Sequence, residues 1–193
     1  SRSIEGPVTI WGESKSYPGS SNLFAINISE DIDQIFKEYQ NTILIIDPGA
    51  KKISSSIGHK LMNENPFSKI RFNEAKKNIA RLKDVFKSGH LDEFINITES
   101  EALMIHSLML SSSPYFILMK PNTLEVIQRI LEYRRETKNP VCFTLDAGSN
   151  VHLLYPNNIK SEVKNFIEDE LLKFCKSKMC IYDSLGSGSV KMI

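Results

Sequence analysis

Apolar and polar residues follow a strand-like pattern over several short stretches of the chain, many of them rich in β-branched residues. The stretches that predict strands are Pro7–Trp11, Leu23–Ile28, Thr42–Asp47, Val141–Leu145 and Val151–Tyr155. The β-branched density of Thr42–Asp47 predicts a buried strand that ends in an acidic residue.

Longer stretches carry apolar residues at the spacing of an α-helix. The predicted helices are Ser68–Lys87, Leu91–Leu110, Asn122–Thr137 and Ile159–Lys176, and a serine run before Leu61 indicates one more helix start. Gly89 is a typical helix terminator after the first of them. Strands and helices alternate in mixed order rather than as regular βαβ units, which predicts an α+β fold.

The bulk properties of the chain exclude several classes of protein. Its 193 residues, 41% of them hydrophobic, suit one compact domain, alone or with a small appendage. A net charge of +1 gives no support to a nucleic-acid or membrane-surface role, so we expect neither as a partner. Three cysteines without metal-ligand spacing, no signal peptide and no apolar run of about 20 residues favour a reduced, cytoplasmic protein.

The most informative stretch has the sequence F-T-L-D-A-G-S-N and runs from Phe143 to Asn150. A predicted strand ends there in Asp146, and the small residues Ala147 and Gly148 leave room for a ligand to approach the backbone. An ordinary hairpin with an Asx turn produces the same pattern. This stretch alone therefore leaves both interpretations open.

Two further groups of residues are typical of anion binding. A serine run at residues 54–56 stands at the predicted helix start, where hydroxyl and N–H groups bind phosphate or simply cap the helix. Arg2 carries a planar guanidinium that can hold a carboxylate or phosphate through two hydrogen bonds, although by itself it is an ordinary terminal arginine.

The histidines and serines do not form a known catalytic or metal-binding motif. The four histidines are scattered without metal-ligand spacing, so we expect no metal ligand in the chain. We expect His90 to cap the turn at Gly89 and His106 to pack within its helix. The nucleophile motif G-x-S-x-G is absent from the sequence, which leaves a hydrolase triad with little support.

Taken together, four segments resemble motifs of the diphosphomevalonate decarboxylases, a family of the GHMP kinase superfamily. Ser1–Arg2–Ser3, with Gly6 and Trp11, is similar to the end of the family's phosphate loop, and residues 53–58 are similar to its serine motif. Residues 143–150 are similar to its signature F-T-x-D-A-G-x-N. Residues 181–188 are similar to its closing G-S-G segment. The Asp-Ala-Gly match is specific and the Ser-Ser-Ser match is moderate. His59 and Ser149 depart from the methionine and proline of many relatives.

The resemblance implies a role for each matching residue. Asp146 would be the catalytic aspartate near the 3-hydroxyl of mevalonate 5-diphosphate, and Arg2 would bind the carboxylate of this substrate. The implied substrate-binding residues are Ser54, Ser55, Ser56, Ala147 and Gly148, and the implied cofactor-binding residues are Ser1 and Ser3. The implied cofactors are ATP and Mg²⁺.

The resemblance implies phosphorylation of a tertiary alcohol by Mg-ATP, followed by loss of phosphate and CO₂ to give isopentenyl diphosphate. A buried carboxylate would accept the hydroxyl proton and would also stabilise cationic character at C3. The alternatives are a kinase of the same superfamily, a decarboxylase of the monophosphate, and a non-catalytic module for substrate binding or dimerisation.

The resemblance also implies a domain organisation. Residues 1–46 would be the remnant of an N-terminal ribosomal S5-like domain, and residues 47–193 would form a GHMP-type C-terminal domain with an antiparallel sheet packed against helices. The family's nucleotide loop precedes the matching segments, so we expect a fragment that binds ATP poorly and is inactive alone. A homodimer is implied, because this half contributes much of the family's subunit contact.

Overall fold

The fold is that of a computed structural model, which describes residues 5–49, 55–186 and 188. The elements in chain order are β1 Thr9–Trp11, β2 Ala25–Asn27, α1 Gln34–Lys37, β3 Gln40–Leu44, α2 Ser55–Asn63, α3 Ser68–Ser88, α4 Leu91–Leu110, α5 Pro121–Thr137, β4 Cys142–Leu145, β5 Val151–Tyr155, α6 Lys160–Phe166 and β6 Cys180–Ser184. Short 3₁₀ turns cover Ser29–Asp31, Asn157–Ile159, Leu172–Phe174 and Lys176–Lys178, and a π-helical stretch covers Ile167–Leu171. Within the described ranges, no helix is long and apolar enough to cross a bilayer.

A four-stranded antiparallel sheet, in the order β4–β5–β3–β6, forms the centre of the fold. Leu44 of β3 lies opposite Val151 of β5 on one side and opposite Cys180 of β6 on the other. Leu145 closes the hairpin of β4 and β5 by pairing with Val151. The strands β1 and β2 pair only with each other, in a separate two-stranded sheet.

Each face of the four-stranded sheet packs on a different set of helices, because successive side chains of a strand point to opposite faces. One face contributes Phe143, Leu153 and Tyr155 to a core with α5 and α6. The opposite face contributes Cys142 and Leu154 to a second core with α1, α3 and α4. The buried hydroxyl groups of Thr42 and Tyr155 lie 2.9 Å apart and satisfy one another in the first core.

The predicted α+β class is confirmed, and the strongly periodic elements lie where the sequence predicts them. The helix predicted over Leu91–Leu110 and the strand predicted over Val151–Tyr155 have those bounds in the structure. Residues 55–63 are helical, where the serine run indicates a helix start.

Two of the predicted elements differ from the prediction near their C-terminal ends, and at both ends the backbone pairs with a distant part of the chain. The last helix was predicted to run over Ile159–Lys176. It is α-helical over Lys160–Phe166, continues as a π-helical stretch to Leu171 and a 3₁₀ turn to Phe174, and ends before Lys176, whose N–H donates to the carbonyl of Ile45 at 2.7 Å. The strand predicted over Thr42–Asp47 is observed over Gln40–Leu44. The amide of Ile45 donates to the carbonyl of Met179 at 3.1 Å, and those of Ile46 and Asp47 donate to the side chain of Asn150.

The position of β3 bears on the domain organisation. Gln40–Leu44 pairs with both β5 and β6, so these residues belong to the four-stranded sheet. A domain boundary at residues 46 and 47 stays a prediction, and this pairing favours one that precedes Gln40.

Gly89→Ala is expected to destabilise the fold by about 1–2 kcal/mol. Gly89 ends α3 at φ +73°, and an added Cβ would lie 3.0 Å from Cγ of Asp33, whose side chain caps α1. Urea denaturation measures the loss. Gly19→Ala is the matched control, because φ is +85° there and nothing lies within 4 Å of an added Cβ. Equal losses in the two variants would contradict the role of the contact with Asp33.

Candidate active site

The connection between β4 and β5, residues 146–150, is called the acid turn below. β4 ends at Leu145 and β5 begins at Val151, and these two residues pair across the hairpin. Gly148 N–H donates to the carbonyl of Asp146 at 2.7 Å, which tightens the connection. The chain therefore reverses its direction sharply between Leu145 and Val151.

His106 of α4 holds the acid turn from one side. The side chain is buried, with the residue 2% exposed, and its Nε2 lies 3.1 Å from the carbonyl oxygen of Asp146. A carbonyl oxygen only accepts, so Nε2 carries the hydrogen. Burial lowers the pKa of His106 below its ordinary value, and the hydrogen bond to the Asp146 carbonyl opposes this in part. A neutral imidazole that donates from Nε2 is the form that suits this position.

Thr123 of α5 holds the acid turn from the opposite side of the sheet. Its fully buried hydroxyl donates to the carbonyl of Ser149 at 2.7 Å and accepts from the amide of Lys120 at 3.0 Å. The same hydroxyl thus caps the start of α5 and ties this helix to the turn.

Asn150, the last residue of the acid turn, connects the turn to the end of β3. Its Oδ1 accepts from the amide of Ile46 at 2.9 Å and from the amide of Asp47 at 3.2 Å. Because these contacts and those of His106 and Thr123 bind backbone groups, the backbone of the turn is held while the Asp146 carboxylate stays available.

The carboxylate of Asp146 is exposed, with 84% of the side chain accessible to solvent. The expectation of a buried carboxylate is therefore wrong for this structure. The reason lies in the turn itself, since the Asp146 carbonyl, not the carboxylate, makes the buried contact. Among the described residues, His152 of β5 is a titratable neighbour of the carboxylate, with its Nε2 3.7 Å from Asp146 Oδ2.

The structure brings together some of the predicted site residues and leaves others untested. Ala147 is exposed and Gly148 is half-buried, both directly beside Asp146. Ser1, Arg2, Ser3 and Ser54 lie outside the described residues. Ser55 and Ser56 are described only by their backbone, in the first turn of α2, so their predicted roles stay predictions.

The sequence did not indicate His106, Thr123, Asn41 or His152 as site residues. Scattered histidines without local spacing carry no motif. Strand pairing brings His152 to Asp146, and the packing of α4 against β4 brings His106 there. The one available signal was the alternation of side chains along β5. It places His152 on the same sheet face as its cross-strand neighbour Thr144, two residues before Asp146. In the part of the chain described, no group of three or more His, Cys, Asp or Glu could hold a metal ion.

The antiparallel sheet with helices on both faces matches the GHMP-type fold of solved mevalonate diphosphate decarboxylases. The family model of the mevalonate 5-diphosphate decarboxylase C-terminal domain matches residues 41–186. The chain belongs to this family.

Solved structures share the fold of this chain. A complex of MDDEF with MVAPP, AMPPCP and magnesium is 24% identical with a TM-score of 0.81, over 97% of this chain and 54% of the other. The Staphylococcus aureus mevalonate diphosphate decarboxylase is 23% identical with a TM-score of 0.80, over 97% and 54% of the two chains. The enzyme of Legionella pneumophila is 26% identical with a TM-score of 0.72, over 82% and 48%.

The chain thus spans about half the length of the solved relatives that it matches. No curated protein sequence matches it at a significant level.

The stability of the chain is expected to fall as the pH is lowered from about 7 to 5, in part because of His106. The pKa of His106 is lowered in the folded chain. At a pH below the ordinary pKa of histidine, this side chain therefore binds a proton more readily in the unfolded chain than in the folded chain, and the proton favours unfolding. His106→Gln keeps an N–H donor for the Asp146 carbonyl but does not titrate. Urea denaturation at each pH should show a shallower slope for this variant.

The control for this experiment is His90→Gln, which replaces an exposed histidine at the start of α4. It should keep the native pH slope. If His106→Gln loses stability with falling pH as steeply as the native chain, the lowered pKa of His106 does not contribute to the pH dependence of stability.

Proposed function

We propose that this chain is the C-terminal part of an ATP-dependent decarboxylase that converts mevalonate 5-diphosphate to isopentenyl diphosphate. The observation that carries the proposal is the acid turn, which presents an exposed Asp146 carboxylate on a backbone held by buried side chains. The family to which residues 41–186 belong supports the same reaction.

The chemistry requires a base near a poorly nucleophilic tertiary hydroxyl. As the substrate oxygen attacks the γ-phosphoryl group, its proton passes to the Asp146 carboxylate, and ADP leaves. Loss of the new phosphate with both bonding electrons then draws the electrons of the carboxylate C–C bond into the alkene, and CO₂ departs. A positioned base contributes typically about 10²–10⁴-fold to such a step.

Residues around Asp146 are assigned to the substrate by position and by resemblance. Ala147 and Gly148 are small, so the substrate can approach their backbone beside the carboxylate. We assign Arg2 to the substrate carboxylate, because a guanidinium binds a carboxylate through two parallel hydrogen bonds. The serines at residues 54–56 are assigned to the same substrate, because hydroxyls and N–H groups at a helix start suit anions.

The cofactors proposed for the complete protein are ATP and Mg²⁺. The complex of MDDEF that contains MVAPP, AMPPCP and magnesium supports this proposal. The described residues offer no cluster of metal ligands, so we assign none of them to magnesium. Ser1 and Ser3 are the residues of this chain that we assign to the nucleotide, as the end of a phosphate loop. A cytoplasmic homodimer is proposed from the resemblance alone.

The test is to supply the complete protein that contains this chain with Mg-ATP and mevalonate 5-diphosphate and to follow ADP and CO₂ together. Equal amounts of ADP and CO₂ are expected. ADP without CO₂ would make the protein a kinase, and neither product would favour a binding module. A higher rate with the monophosphate would identify that compound as the substrate.

Asp146→Asn is expected to lower the rate of CO₂ release by about 10²-fold or more, because an amide cannot accept the hydroxyl proton. The fold should change little, since the side chain is exposed and turn geometry rests on backbone contacts. Asp169→Asn removes an exposed carboxylate from the π-helical stretch and serves as the matched control. A native rate in Asp146→Asn would overturn the assignment of the base.

A further inference from the structure

A chain of polar contacts runs from β3 through β5 to the acid turn. Asn41 Oδ1 lies 3.1 Å from Nδ1 of His152, and Nε2 of the same imidazole lies 3.7 Å from Oδ2 of Asp146. The His152 side chain is 18% exposed, whereas that of Asp146 is 84% exposed. A largely enclosed imidazole with its second nitrogen directed at an exposed carboxylate thus lies at the proposed base.

The contact with Asn41 determines which nitrogen of His152 carries a hydrogen. A carboxamide oxygen only accepts, so Nδ1 donates and Nε2 remains for Asp146. When Asp146 is ionised, a second proton on Nε2 would point at its carboxylate. When Asp146 is protonated, its O–H can donate to the Nε2 lone pair after a small rotation of the exposed side chain.

We propose that His152 is a positioning residue for Asp146 and receives the proton that Asp146 takes from the substrate hydroxyl. The proton leaves the hydroxyl oxygen as this oxygen bonds to phosphorus, binds Asp146, and moves to Nε2 of His152. Asp146 is then ionised again while the cationic character at C3 develops, where a negative charge stabilises it. This inference rests on the proposed function of the acid turn.

Within the part of the chain that the structure describes, the surroundings of His152 favour Asp146 as the partner for this exchange. The neighbouring strand β3 carries no charged side chain, and the Arg134 guanidinium engages the Glu99 carboxylate of α4 at 2.6 Å. Among the described residues, the titratable side chains of β4 and β6 on the sheet face of His152 are Cys142 and Asp183, and α4, which packs against this face, carries Asp92, Glu93, Glu99, Glu101 and His106. Burial raises the pKa of the Cys142 thiol, and His106 is engaged by the Asp146 carbonyl.

The first test is ¹⁵N NMR of the imidazole nitrogens in the chain itself at pH 7. Native His152 should carry its hydrogen on Nδ1, and Asn41→Leu should remove this preference. Asp146→Asn should move the Nε2 resonance of His152, while His90, exposed at the start of α4, should keep its resonances and so serves as the internal control. Unchanged His152 resonances in Asp146→Asn would overturn the proposal, because the two groups would not be coupled.

The second test uses CO₂ release by the complete protein. His152→Gln should lower kcat about tenfold, leave KM unchanged and flatten the pH profile of kcat, because glutamine bonds to Asn41 but takes no proton. His90→Gln should behave as the native protein.

The outcomes separate this inference from the function on which it rests. A native pH profile in His152→Gln, in a protein that releases CO₂, would overturn the role of His152 and leave the function intact. No CO₂ from the native protein would instead overturn the function, whereas the NMR result would still decide whether His152 and Asp146 are coupled.

Discussion

The structure depends on how the backbone of the acid turn is paired where the hairpin enters the core. Buried polar groups without partners cost free energy, so each carbonyl there needs a donor. His106 of α4 supplies one for Asp146, and Thr123 of α5 supplies one for Ser149. Asn150 in return accepts the amides that follow β3. Helices on both faces of the sheet and three strands thus meet at residues 146–150.

In this arrangement, the groups that anchor the acid turn are different from the carboxylate that is available to react. The contacts that hold the turn involve the carbonyls of Asp146 and Ser149 and the side chain of Asn150. The Asp146 carboxylate is left exposed, with the imidazole of His152 beside it. A base that takes a proton from a bound substrate needs such a fixed position with an accessible oxygen.

Local sequence patterns were sufficient to predict much of the fold. They failed where the backbone forms hydrogen bonds with distant parts of the chain. Leu91–Leu110 was predicted correctly because its apolar period persists over many turns. The last predicted helix changes to π-helical and 3₁₀ geometry after Phe166, and no local signal shows that it stops where Lys176 pairs with Ile45. In the same way, the Asp-Ala-Gly motif indicated Asp146. His106 and His152 were missed, because they reach this residue only through tertiary contacts.

The most direct test of this account is amide hydrogen exchange of Gly148 in Thr123→Val and Thr123→Ser. Valine keeps the shape of the side chain but leaves the Ser149 carbonyl without its donor, at a cost of about 1–3 kcal/mol. The account predicts exchange about tenfold faster in the valine variant, near-native exchange in the serine variant, and an unchanged amide of Leu153 in the middle of β5. Equal exchange of Gly148 in the valine variant and the native chain would contradict it.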